Sequence, residues 1–294
     1  MSSVINLLDA DALLETIATK IPARLRPNVV VIGSIAAAWA YREISGTSTV
    51  ATKDIDLLLR PAVNAVATAT ALGQQLLAEG WQPQFTHGRE PGNTNTPDGE
   101  LPTLRLTPPG GRDGWFVELL AEPPQAQVSR KHWRRFETAG GVFGLPSFRY
   151  MPVAIHDAEQ TPHGLLVARP ACMALANLLE HADPDRNPMS DREGKYLRFQ
   201  KDVGRAVALW WLAGRQDVTA DVQWRAAWDG ALGAFDPGNQ MWLRGEARKG
   251  LESLDGYLRE AHEISRNSVL AAHGATLEAY KRAYAGLGSL LDTH

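Results

Sequence analysis

Residues 54 to 59 constrain the fold more than any other stretch, because acidic and apolar side chains alternate at its start. Asp54 and Asp56 flank Ile55, and the run continues through three leucines. Successive side chains of a β-strand point to opposite faces. A strand at this position would bury Ile55 on one face and present both carboxylates on the other. The sequence therefore predicts a half-buried strand with two acids side by side.

A second segment, shortly before the first, predicts a strand that turns directly into a helix. Residues 28 to 32 are rich in valine and isoleucine, Gly33 and Ser34 follow, and an alanine-rich run occupies 35 to 41. The start of a helix exposes backbone N–H groups at the positive end of the helix dipole, and serine adds a hydroxyl donor. The turn suits a phosphate, although small residues at such turns commonly serve backbone geometry alone.

The remaining periodicity predicts an α+β protein with a mixed sheet in its first half and helices in its second. We expect an α/β domain over 1–122, an irregular connection with short strands over 123–168, and a helical domain over 169–294. The predicted helices cover 9–21, 63–79, 170–182, 192–213 and 219–232, with two more before the C-terminus, and further strands are predicted at 81–86, 103–107 and 115–120.

Composition restricts the classes of function. The chain has 30 basic against 33 acidic residues, so it lacks the positive excess of a bulk nucleic-acid coat. Cys172 is the only cysteine, which excludes an intrachain disulfide and favours a reducing environment. The acidic N-terminus does not resemble a signal peptide, and no apolar run is long enough for a membrane span. We therefore expect a cytoplasmic protein with no membrane partner.

Two carboxylates on one strand face repel each other unless a cation or hydrogen-bond donors compensate them. Mg²⁺ prefers hard oxygen ligands and keeps affinity for substrate phosphates, so Asp54 and Asp56 are candidate ligands for one or two Mg²⁺ ions. Glu118 lies in the predicted strand 115–120 and could join them as a ligand or act as a general base. The alternatives are a solvated strand edge for the aspartates and a surface-facing position for Glu118.

In this order, the motifs Gly33-Ser34, Asp54-x-Asp56 and Glu118 resemble the signature of the nucleotidyltransferase superfamily of the DNA polymerase beta type. The resemblance covers roughly residues 28 to 120, with 20 residues from Ser34 to Asp54. It implies transfer of a nucleoside monophosphate from a nucleoside triphosphate (NTP) to a hydroxyl group. It also implies that Asp54, Asp56 and Glu118 bind metal and carry the catalysis.

Within that superfamily the chain is most similar to the AbiEii-type nucleotidyltransferases, many of which are toxins of toxin–antitoxin or phage-defence systems. The similarity lies in the approach Thr52-Lys53 to the acidic strand and in the pair Lys201-Asp202 in the helical half. It implies RNA (tRNA) or protein as the acceptor and an antitoxin protein as a possible partner. A departure is Asn177, which stands where relatives often carry a lysine.

Candidate nucleotide-binding residues complete the prediction. Lys195, Arg198, Lys201 and Arg205 recur every three or four residues and would form a basic stripe on one helical face. This stripe could neutralise a triphosphate or an RNA backbone, although a solvated helix face is the commoner explanation. The residues assigned to the nucleotide are Gly33, Ser34, Lys53, Lys195 and Lys201.

Two other functions remain open on the same residues. The first is a transferase that modifies a small hydroxylated molecule such as an antibiotic, which would need a closed acidic pocket between the halves. The second is a catalytically inactive nucleotide-binding protein that keeps the fold. It stays open because a shared fold does not imply a shared activity.

Overall fold

The computed structural model describes residues 7–84, 90–110, 114–124, 131–182 and 196–292. Its first part contains strands and five helices: β1 (Leu7–Asp9), α1 (Ala10–Lys20), β2 (Val29–Ile32), α2 (Gly33–Ala40), α3 (Arg42–Ser45), β3 (Thr49–Ala51), β4 (Asp54–Leu59), α4 (Ala62–Ala78), β5 (Gln82–Gln84), β6 (Arg105–Thr107), β7 (Phe116–Ala121), β8 (Lys131–Thr138), β9 (Gly141–Phe148), α5 (Met151–Ala154), β10 (Glu159–Gln160) and β11 (Leu166–Val167). The regular elements described in the later part are helices: α6 (Pro170–Glu180), α7 (Arg198–Gln216), α8 (Ala220–Leu232), α9 (Pro237–Glu252), α10 (Leu258–Arg266) and α11 (Leu277–Asp292). The predicted α+β class is confirmed.

Seven strands form one mixed sheet in the order β10-β11-β2-β4-β7-β6-β5. Strand β4 lies at its centre, antiparallel to β2 and parallel to β7. The valines of β2 and the leucines of β4 have no exposed surface. Central strands covered on both faces are expected to be apolar throughout, so the polar residues at the start of β4 and in β7 stand out. These central strands position the candidate site.

The second half packs onto the first as a layer of helices. Helix α7 contacts α6, α10 and α11, and α6 contacts α2 of the first half. The buried Tyr41 hydroxyl donates to the carbonyl of Leu209 in α7 at 3.0 Å, which ties the two halves together. In the described parts of the chain, no helix is both long and apolar enough to cross a membrane.

The connection between the halves is more regular than the sequence predicts. Residues 131 to 148 form a hairpin of two eight-residue strands, β8 and β9, which packs against α4 and β7. Strand β11 pairs in parallel with β2 and extends the main sheet. Beyond α8 there are three helices rather than the two predicted. The prolines and glycines of this segment predicted an irregular connection with short strands. The longer strands β8 and β9 form where the hairpin packs against distant elements.

Candidate functional site

The acidic residues meet at the centre of the sheet. In the β4–β7 register Asp56 is the partner of Glu118, and in the β2–β4 register Asp56 is the partner of Ile32. Paired residues on neighbouring strands lie about 4.8 Å apart and share a face. The sequence predicted a shared face for Asp54 and Asp56, and the topology adds Glu118 to that face. Strands β2 and β7 lie on either side of β4, so the turn that follows Ile32 and the Glu118 side of the sheet flank Asp56 from two directions.

That turn lies close to Asp56, and its backbone conformation favours glycine. Gly33 has a φ of 78°, in the left-handed region that residues with a Cβ rarely adopt. A Cβ on Gly33 would lie 2.9 Å from Oδ2 of Asp56. Gly33 also begins α2, whose first turn receives no side-chain cap, and Ser34 is buried beside it. The start of α2 therefore lies next to the Asp56 carboxyl group.

Asp54 is compensated by its surroundings. It accepts a hydrogen bond from the Thr52 hydroxyl at 2.6 Å. Burial acts to raise the pKa of Asp54, but Lys201, the Thr52 hydrogen bond and Arg205 together hold that pKa below its usual value. Asp54 is therefore ionised at neutral pH, and its charge is stabilised by α7.

Asp56 is the least compensated of the three carboxyl groups. Burial and the neighbouring charges of Asp54 and Glu118 raise its pKa to about 8, and Arg205 and Lys201 offset only part of this effect. In the protein without a bound cation, the Asp56 carboxyl group is consequently protonated at neutral pH. A cation that bound beside it would replace that proton.

Glu118 is engaged by an arginine that the sequence interpretation did not select. Arg105 of β6 donates to both carboxylate oxygens, from Nε to Oε2 at 3.0 Å and from the terminal nitrogen NH2 to Oε1 at 3.2 Å. The two side chains are only 10% and 13% exposed. Their pairing follows from the β6–β7 register, in which Arg105 lies opposite Glu118. Arg105 falls within the predicted strand 103–107, but the sequence does not show that this strand pairs with the strand of Glu118.

Helix α7 turns basic side chains toward the acidic strand. Lys201 and Arg205 lower the pKa of Asp54, and Asp56 in turn raises the pKa of Arg198, although Asp202 has a larger effect on that group. These positions are three and four residues apart and so share one helical face. The predicted basic stripe therefore lies beside the predicted acidic site, as far as its described members show.

Other residues assigned to the nucleotide are placed differently. Lys195 lies outside the described residues. Lys53 is exposed just before β4, and its backbone carbonyl accepts a hydrogen bond from the Phe116 amide at 2.9 Å. Asn177 is half-buried in α6. Of the assigned lysines, Lys201 acts on the pKa of both Asp54 and Asp56.

A pair formed by His181 and Asp202 lies next to Arg198 of the basic stripe. His181 Nε2 lies 3.1 Å from Asp202 Oδ2, and the Nε of Arg198 donates to the same oxygen at 3.2 Å. Although burial opposes ionisation, the His181 hydrogen bond and the charge of Arg198 hold the pKa of Asp202 far below its usual value. Sequence spacing did not single out His181, because its partner lies on another helix.

Within the described residues, no group of three His, Cys, Asp or Glu side chains is arranged to hold a metal ion. In the acidic cluster, both carboxylate oxygens of Glu118 accept hydrogen bonds from Arg105. No protein-family model, curated protein or solved structure matches the chain. The nucleotidyltransferase resemblance therefore stays a prediction that rests on the residues themselves.

The donor set nevertheless fits Mg²⁺. Asp54 and Asp56 offer hard oxygen atoms on one strand face, and Mg²⁺ in nucleotide sites is usually held by one or two carboxylates together with substrate phosphates. Burial first, and then the charges of Asp54 and Glu118, raise the pKa of Asp56, and a cation beside it would oppose both effects. Asp54 and Asp56 are thus the residues that could hold a cation, and the start of α2, which has no side-chain cap, could bind a phosphate.

Proposed function

We propose that the chain is a magnesium-dependent nucleotidyltransferase that moves a nucleoside monophosphate from an NTP to a hydroxyl group of RNA or protein. The observation that carries the proposal is the position of Asp56. Its carboxyl group lies between the Gly33 turn and Glu118, and its pKa responds to Lys201 and Arg205 of α7. Groups suited to metal and groups suited to phosphate thus surround the same atoms.

Each residue has a distinct part in this reaction. Asp54 and Asp56 would hold Mg²⁺, which when bound neutralises phosphate charge and lowers the pKa of an attacking hydroxyl. Backbone N–H groups at Gly33 and Ser34 would donate to phosphate oxygens. Lys201 and Arg205, whose charges already act on both aspartates, would balance the remaining triphosphate charge. Positioning and electrostatic stabilisation are the main catalytic contributions in phosphoryl-transfer chemistry.

Incubation with each α-labelled NTP, Mg²⁺ and either total cellular RNA or lysate protein tests the activity. Label should pass to RNA or to protein with the wild type, and Asp54→Ala should reduce transfer by about 100-fold or more, since it removes a metal ligand. Asp221→Ala, on the exposed face of α8, is the matched control and should retain activity. Transfer to added small hydroxylated molecules instead would assign the antibiotic-type alternative.

Growth provides a second test of the toxin-like version of the proposal. Expression of the wild-type chain without any antitoxin should slow growth, and Asp54→Ala should relieve the effect. Equal growth inhibition by both chains would show that the toxicity does not depend on the metal-binding carboxylates. A protein that restores growth and binds the chain directly would be the expected antitoxin partner.

A second function, nucleotide binding without turnover, is favoured by one specific observation. Glu118 is paired with Arg105, so the third carboxylate of the signature is engaged. Calorimetric titration with a Mg²⁺–NTP complex distinguishes the two functions when it is combined with the labelling assay. Binding that Lys201→Met weakens by about 10-fold or more, with no labelled product from any acceptor, would support the inactive alternative. The exposed Lys281→Met is the control for that titration.

A further inference from the structure

The three carboxyl groups of the site are compensated by different means. Asp54 accepts a hydrogen bond from the Thr52 hydroxyl and is stabilised by the positive charges of Lys201 and Arg205 in α7. Glu118 instead forms an ion pair with the Arg105 guanidinium group. Asp56 lies between them, and the negative charges of Asp54 and Glu118 both raise its pKa, in addition to the larger effect of burial. Glu118 is thus in direct contact with a guanidinium group, one strand away from the two aspartates.

Arg105 is held rigidly in this position. Its residue is only 8% exposed, and its guanidinium group also lies over the Phe116 ring, with its central carbon 5.2 Å from the ring centroid. Two of its nitrogens bind Glu118, and its remaining terminal nitrogen, NH1, is buried and lacks a hydrogen-bond partner within the described residues. If the Arg105 side chain moved away, the buried Glu118 carboxylate would lose its ion-pair partner, which is strongly unfavourable. The guanidinium group therefore acts as a fixed positive charge.

We propose that this site takes one divalent cation per chain, at Asp54 and Asp56, and that the Arg105 guanidinium occupies the electrostatic position of a second. The inference rests on the proposed function, because it concerns the metal of that reaction. Two-metal sites place their ions about 3.5–4 Å apart and need carboxylates that reach both ions. A second ion next to Glu118 would have to share its oxygens with a guanidinium group and would be repelled by that charge.

Substitution of Arg105 separates its charge from its hydrogen bonding. Arg105→Gln removes the charge and keeps a donor for Glu118, so it should permit a second ion. Arg105→Lys keeps the charge and should leave the count at one. Arg135→Gln is the matched control, because Arg135 forms its ion pair with Asp98 on the hairpin side, at 3.0 Å and with more exposure.

The experiment counts Mn²⁺ ions in the full chain by electron paramagnetic resonance, with an NTP analogue that carries a methylene group between its α- and β-phosphates. This readout needs no turnover. The wild type and Arg135→Gln should bind one ion without spin coupling between ions. Arg105→Gln should bind a second ion at least about 10-fold more tightly than the wild type does, and its spectrum should show coupling between neighbouring ions.

The outcomes separate this inference from the proposed function. Two coupled ions in the wild type would overturn the single-ion inference and leave the nucleotidyltransferase proposal intact. No bound Mn²⁺ with or without the analogue would overturn both. A folded Arg105→Gln protein that still binds one ion would also refute the inference, with folding checked by circular dichroism. If that variant does not fold, the ion count of the wild type still decides the question.

Discussion

Replacement of Asp56 by asparagine should remove a pH-dependent loss of stability from the protein without bound metal. The pKa of this carboxyl group is raised from 3.8 to about 8 by burial and by its two acidic neighbours. Between these values the folded state holds a proton that the unfolded state has released. Stability therefore falls as the pH rises, and it is fully present only below the unfolded pKa.

The magnitude follows from the proton count. One additional proton in the folded state changes the free energy of unfolding by about 1.4 kcal/mol per pH unit. Between pH 5 and pH 7 the wild type should therefore lose up to about 3 kcal/mol through Asp56 alone. Asp56→Asn cannot ionise, so this contribution should vanish. The stability difference between wild type and variant should change steadily across the interval, while other titrating groups cancel.

Urea unfolding in the presence of a chelator, at pH 5, 6 and 7, measures this difference. Asp221→Asn, at an exposed carboxyl group of α8, is the control and should follow the wild type at every pH. Asp54→Asn removes one of the charges that raise the pKa of Asp56, so its loss of stability should end at a lower pH. Parallel curves for the wild type and Asp56→Asn would refute the proposed burial and charge repulsion at this group.

Two glycine substitutions, each with a matched control, test the packing that builds the site and the helical layer. Gly33→Ala should destabilise the protein by about 1–2 kcal/mol through backbone strain and should also weaken NTP binding, whereas Gly46→Ala, with a similar positive φ but open space around it, should show the strain alone. Equal NTP affinity in these two variants would argue against close approach of the turn to the site. In α9, Gly250→Ala places a Cβ into the backbone carbonyl of Leu178 and should cost about 3 kcal/mol or more in chemical unfolding. Gly245→Ala, on the open side of α9, should stabilise the chain by up to about 1 kcal/mol. Similar stabilities for the two α9 variants would contradict the close contact between α6 and α9.

The sequence predicted the elements on which the candidate site is built. The strand at 54–59, the turn at Gly33 and the strand that carries Glu118 occur where local patterns placed them. These patterns are reliable because they reflect local chemistry: alternation separates the two faces of a strand, and glycine permits a positive φ. Most element boundaries differ by one to a few residues, as in α4, which begins at Ala62 rather than residue 63. The largest difference is in α7, which spans Arg198–Gln216 rather than the predicted 192–213.

Local patterns did not predict the hairpin of β8 and β9. Pro146 lies within β9, where proline normally argues against a strand, and its partner in the register is Trp133. Packing of the hairpin against α4 and β7 stabilises these strands in their positions. The free energy of that packing depends on residues far away in the chain, and a window of neighbouring residues contains no information about it.

For this protein, the sequence by itself determined which side chains share a strand face or a helix face, because those relations follow from backbone periodicity. Only the tertiary structure decided which charges meet. Arg105 contacts Glu118 through the register of β6 and β7, and the charge of Lys201 acts on Asp54 through the docking of α7. Electrostatic interactions depend on distance through space, and long-range packing alone sets those distances.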